Sequence, residues 1–214
     1  MKAVLQSLEA LVSGFHPAQS KNIVAELSKL FTESTDFLKK VKSFDSVISI
    51  HPEIAGISDY IFDLMMMHHL SAIDKDDDYF DSKEWLDIED KTLERGTELL
   101  NLLLYISESK ENDIDISLTD FLYEFLLVDE DEFQDEHRIY EDLIANEDLV
   151  EEGIDTIQKI ATEIVETSEI RELFTPVILF FQDPREPMIP KELYHKLKPE
   201  ERGVLSCLRV FYSN

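Results

Sequence analysis

The sequence predicts an all-α protein, arranged as stacked helix pairs in a degenerate repeat or as an irregular helical bundle. Three observations predict it. Turn-formers are scarce, with five glycines and seven prolines in 214 residues. Apolar residues recur through most of the chain three and four places apart, the spacing of one helix face. The β-branched run Val47-Ile48-Ser49-Ile50 has no partner strand elsewhere, and four isolated residues read as a short helix or turn. At 43% apolar the chain can bury a sizeable core, and its length suits one domain over residues 1–214.

Taken in order, the first helix runs from Lys2 to Ser13, with Leu5, Leu8, Leu11 and Val12 on one side and Gly14 as its stop. Pro17 opens the next helix, whose inner face carries Ile23, Leu27, Leu30 and Phe31. Thr32–Asp36 breaks or caps it, and Leu38, Val41 and Phe44 continue a similar stripe. Asp45 is a candidate cap for Val47–Ile50, and Pro52 with Gly56 marks a junction. Ser58 caps the helix that holds Met65-Met66-Met67-His68-His69, where methionines spaced among Ile61, Phe62, Leu64 and Leu70 read as core. Glu94–Ile106 reads as a helix apolar on nearly all sides after Glu98, and Thr119–Val128 as another. Pro176 kinks the run Glu172–Phe181 or opens it. Pro184, Pro187 and Pro190 make an extended connector before the last helix.

Gly96, Gly153 and Gly203 share a register. Apolar or small residues follow each at four, seven and eight places: Leu100, Leu103 and Leu104; Ile157, Ile160 and Ala161; Cys207, Val210 and Phe211. This register predicts helix-pair units 58–109, 119–168 and 170–213, with 1–50 as a divergent fourth. It also predicts three equivalent sites of close helix–helix approach at the glycines.

The net charge of −27 is unevenly spread. Residues 1–50 and 171–214 are each at +1, and residues 51–170 carry −29. Such a field repels nucleic acid and anionic membranes and attracts basic proteins or cations. An acidic surface also keeps a protein soluble with no further role. The N-terminus lacks a signal-peptide pattern and no stretch approaches a membrane span, so the expectation is a cytoplasmic protein. The one cysteine, Cys207, excludes an intramolecular disulfide and lies on an apolar helix face.

Motifs for chemistry are sparse. Asp74, Asp76 and Asp78 take calcium-loop positions, but Tyr79 stands where glycine must turn the loop and Trp85 where glutamate must ligate. Asp113, Asp115, Ser117 and Glu124 form a second partial match with Leu118 at the glycine position; a solvated loop and a helix cap explain the same residues. Glu192-Leu193-Tyr194-His195 is a single Glu-x-x-His where a bundle metal site needs two. His68 and His69 are adjacent and point about 100° apart on a helix. Trp85 and Tyr79-Phe80 either pin the acidic loop to the body or stand exposed as binding anchors.

The leading expectation is therefore a non-enzymatic interaction module that binds a basic protein, as an inhibitor or immunity-type protein or as a mimic of DNA charge. The candidate surface is Asp76, Asp77, Asp78, Asp129, Glu130, Asp131, Glu132, Asp135 and Glu136. No catalytic residue, cofactor or metal site is assigned. The alternatives are a metal-dependent helical enzyme using His68, His69 or His195, and a structural or assembly protein with exposed apolar helix faces.

Overall fold

A computed structural model of the chain describes residues 2–18, 20–73, 78–129 and 137–214. Every regular element among them is helical. They are α1 (Lys2–Phe15), α2 (Ser20–Thr32), α3 (Phe37–Ile50), α4 (Ser58–Leu70), α5 (Lys83–Thr92), α6 (Leu99–Glu111), α7 (Leu118–Asp120), α8 (Glu141–Ile144), α9 (Ile154–Glu163), α10 (Arg171–Gln182), α11 (Lys191–Tyr194) and α12 (Pro199–Ser213), with short 3₁₀ turns between some of them. Directly after α7 the backbone widens into a π turn, Phe121–Phe125, closed by the Leu126 N–H on the Phe121 carbonyl at 3.0 Å. The all-α expectation holds.

The architectural centre is a pair far apart in sequence. Among the described residues, α1 and α12 make the most extensive helix contact. A Cβ on Gly14 would meet the Arg202 carbonyl oxygen at 2.9 Å, and one on Gly203 would meet the Leu11 carbonyl oxygen at 2.9 Å. Two glycines on facing helices let the backbones touch where side chains would hold them apart. Gly14, expected as a stop, is thus part of α1 and of this contact. α2 and α4 pack on α1, while α6 and α10 pack on α12. α4 is buried from Tyr60 to His68, and α10 from Leu173 to Phe181. Burying a helix on all sides takes neighbours all round, which the central pair and its flanking helices supply.

Several local expectations need correction. Gly96 is not helical: it takes φ +88° in the segment before α6, and a Cβ there would meet Asp63 Oδ1 at 2.6 Å. Gly153 is the N-cap of α9, with nothing within 4 Å of an added Cβ. Only Gly203 makes the predicted close approach, so the three glycines are not equivalent and their shared register marks no common contact. The buried face of α6 is Leu99, Leu102, Leu103 and Ile106, with Leu100 and Leu104 only partly covered. Val47–Ile50 is the end of α3, and Asp45 lies within that helix, paired with Arg95 at 2.8 Å. The cap of α3 is Asp36, which accepts from the Lys39 N–H at 3.1 Å. Ser58 does not cap α4; its hydroxyl donates back to the Ala55 carbonyl at 2.9 Å. Pro176 sits inside α10, where it removes one backbone donor.

Candidate functional site

Asp63 is the element of the site that neighbouring apolar residues hide. It stands in α4 between Phe62 and Leu64 and is 1% exposed. Its carboxylate accepts the Thr97 N–H at 3.0 and 3.1 Å and the Thr97 hydroxyl at 2.6 Å. The positive φ of Gly96 turns the chain so that Thr97 can face it. Burial raises the Asp63 carboxyl to about 8, and the Thr97 hydrogen bonds pull the other way. The Thr97 hydroxyl in turn accepts the Leu99 N–H, the first of α6, at 3.1 Å. One buried acid therefore ties α4 to the start of α6. Nearby, Glu98 receives the Tyr140 hydroxyl and the Asn101 amide, the latter at 2.8 Å, and burial raises its carboxyl too.

Thr97 and Tyr60 form one wall of a cleft of about 890 Å³. α9 and α10 supply another wall, and the N-terminus of α12 the third. Five carboxylates line it (Glu166, Glu169, Glu172, Glu200 and Glu201) with two cations, Arg171 and Lys198. The Tyr60 hydroxyl donates to Glu172 at 3.1 Å, and burial first, then the Glu172 charge, pushes that phenol well above its ordinary value. Glu201 is buried and accepts the Lys198 N–H at 2.8 Å, which closes the first turn of α12. Arg171 reaches Glu166 at only 3.8 Å, a loose pair, and Glu169 and Glu172 are exposed. Thr162, Ser168, Thr175 and Gln158 add polar groups to the lining, and Gly56, Ala161 and Leu173 add apolar surface. Carboxylates and hydroxyls around a concave space are the chemistry that receives an amine or a guanidinium.

The residues singled out from sequence fall elsewhere. Asp78 opens a 3₁₀ turn and is exposed, and Asp129 is exposed. Asp76, Asp77, Glu130, Asp131, Glu132, Asp135 and Glu136 lie outside the described residues, as does Asp74 of the first calcium pattern. In the second pattern Ser117 is a helix cap, accepting the Asp120 N–H at 3.0 Å, while Asp113 and Asp115 are exposed. The methionine triplet is core. His68 is buried beside Phe31, whereas His69 stacks on Phe37 with ring centroids 4.6 Å apart and meets the Tyr79 hydroxyl at 2.9 Å. Burial lowers both imidazoles, and the neighbouring Lys40 charge adds to it. Tyr79 and Trp85 pin their segment to α4 through His69, and Phe80 faces solvent. Cys207 is buried and free, its thiol pushed far up by burial. Among the described residues no group of three or more His, Cys, Asp or Glu side chains is placed to hold a metal ion, and no helix is long and apolar enough to cross a membrane.

Sequence reasoning missed Asp63, Tyr60, Thr97 and Glu172. Only Asp63 carried a signal: an acid in a helix apolar all round has no solvent face to turn to. Comparison with protein-family models, curated proteins and solved structures finds no match to the chain.

Proposed function

We propose that the protein is a non-enzymatic interaction module that binds a basic protein partner, with the cleft between α4, α9, α10 and α12 receiving cationic side chains. The observation that carries this reading is the lining of that cleft, five carboxylates against two cations, in a chain of net charge −27. The chain's field draws a basic partner in, and the cleft gives it a place of defined shape. Exposed Asp78 and Asp129 belong to the same field.

Calorimetric titration with a synthetic peptide rich in Arg and Lys tests it. Binding should weaken steeply with added salt. The triple change Glu169→Gln, Glu172→Gln and Glu200→Gln should reduce affinity by about tenfold, some 1.4 kcal/mol. Equal binding by parent and variant would show diffuse attraction to the surface instead of a site.

A role in assembly is favoured by a separate observation: Phe80, Leu86 and Leu93 are 54%, 55% and 82% exposed in and beside α5. Light scattering across a concentration series tests that reading, and a monomer throughout removes it.

A further inference from the structure

A second, smaller pocket of about 340 Å³ lies between α6 and the π turn. Its floor is aromatic. The Tyr105 and Phe125 rings meet with centroids 5.5 Å apart and planes at 59°, forming a corner. Tyr105 is fixed there by its hydroxyl, which donates to the Ser117 carbonyl at 3.2 Å and accepts the Ser117 N–H at 3.1 Å. Ile114, 55% exposed, forms an aliphatic flank. The π turn matters to this geometry, because its extra residue per turn places Phe125 beside Asp120 and Glu124 at the same opening.

Three carboxylates surround the floor. Glu108 lies one turn along α6 from Tyr105, and Asp120 and Glu124 lie four residues apart. Like charges at that spacing repel. Among the described residues no cation pairs with any of the three. The nearest lysine along the chain, Lys110, gives its ammonium to the Tyr212 carbonyl at 2.9 Å. The larger cleft differs, since Arg171 and Lys198 already stand in its lining.

We infer that this pocket receives the side chain of an arginine from a basic peptide, its planar guanidinium against the Phe125 ring, which the buried Tyr105 backs, and its charge among Glu108, Asp120 and Glu124. Ring faces are electron-rich and attract a cation within about 6 Å of the centroid. A guanidinium is flat, weakly hydrated and stacks on aromatic faces, which suits it to the Phe125 ring better than an ammonium. Its alkyl stem lies along Ile114. The inference takes from the basic-partner reading only the source of the arginine; the pocket's chemistry stands apart from the cleft.

The test maps amide shifts of the full chain by NMR with three capped tripeptides, Gly-Arg-Gly, Gly-Lys-Gly and Gly-norleucine-Gly. The arginine peptide should shift residues 105–109, 114 and 120–125 saturably in the millimolar range. The lysine peptide should bind there several-fold more weakly, and the norleucine peptide should leave those residues still. Phe125→Leu, which keeps an apolar side chain, should weaken the arginine peptide at least fivefold, and Glu124→Gln should weaken it several-fold. Equal shifts from the norleucine peptide, shifts scattered over the acidic surface, or no shifts near the π turn each overturn the pocket. Saturable shifts confined to Tyr60, Glu172 and Glu200 would overturn it while supporting the cleft. Shifts at the π turn that survive the triple cleft variant would support the pocket independently of the cleft.

Discussion

α12 and α5 are both amphipathic on paper, yet they differ in what the fold does with them. α12 buries Gly203, Val204, Leu205, Cys207, Leu208 and Phe211, along with the polar Glu201 and Arg209. α1, α6 and α10 surround it. α5 buries only Ile88 and Thr92, packs chiefly on the turn Asp78–Asp81, and leaves Leu86 in solvent; Leu93, just past its end, is exposed too. The charge follows the same division. α12 lies in the balanced C-terminal stretch, and α5 in the acidic middle, with Glu84, Asp87, Glu89 and Asp90 among its ten residues. Repelling carboxylates need water around them, so acids gather on elements that are incompletely covered. The contrast teaches that a helical apolar pattern announces a face without saying how much of it will be buried.

The seam between these regions is where the comparison breaks most visibly. Asp63 belongs to the covered helices, and Thr97 to the segment that follows α5. With its carboxyl at about 8 in the fold against an ordinary 3.8, the unfolded chain ionises first as pH rises. Asp63 then weighs increasingly against folding from pH 3.8 up to about 8 and adds nothing further above that. The full effect is on the order of 5 kcal/mol. Asp63→Asn should remove it. In urea unfolding across pH, the variant should gain on the parent through that window and run parallel beyond it. Parallel curves from the start would mean that the Thr97 hydrogen bonds hold Asp63 ionised.

Within the covered region, Gly203→Leu should cost about 3 kcal/mol in urea unfolding, because its side chain meets the Leu11 carbonyl and the α1 backbone cannot yield as a flexible side chain could. A variant as stable as the parent would show that α1 and α12 can separate freely. On the other side, Ile88→Ala should cost about 2 kcal/mol. That loss should be local: hydrogen exchange should quicken over Lys83–Thr92 and leave α1 and α12 protected. Exchange quickening everywhere would make α5 an equal partner in one cooperative core. The smallest effect separates the glycines themselves. Gly153→Ser should stabilise by roughly 0.3 kcal/mol in the same unfolding assay, since serine is a better N-cap and the site is open. A loss there would reveal a contact like that of Gly203.

What was legible in the sequence was legible because it is local. The stripe Ile23, Leu27, Leu30 and Phe31 is buried as its spacing predicts, as are Val41 and Phe44, while Leu38 is only partly covered and Phe37 takes the buried place beside it; Met65, Met66 and Met67 are buried as well. Capping was read less well. Asp36 caps a helix, whereas Ser58, of equally suitable type, turns its hydroxyl backward. The choice depends on the 3₁₀ turn that precedes α4. The candidate site was almost illegible. Tyr60 and Glu172 are 112 residues apart and meet in a hydrogen bond. Thr97 faces Asp63 only because Gly96 adopts a positive φ.

The chain by itself determined the helical class, most of the core residues and the acidic middle, since periodicity and charge are written in neighbouring residues and survive any arrangement of the helices. Tertiary structure alone decided that Gly14 meets Gly203, that Gly96 serves a turn and Gly153 a cap, that Asp63 is buried, and that five carboxylates share one cleft. Those facts depend on which faces meet across long separations in sequence. Helices of similar composition offer many such pairings of comparable local quality, and only packing the whole chain at once selects among them.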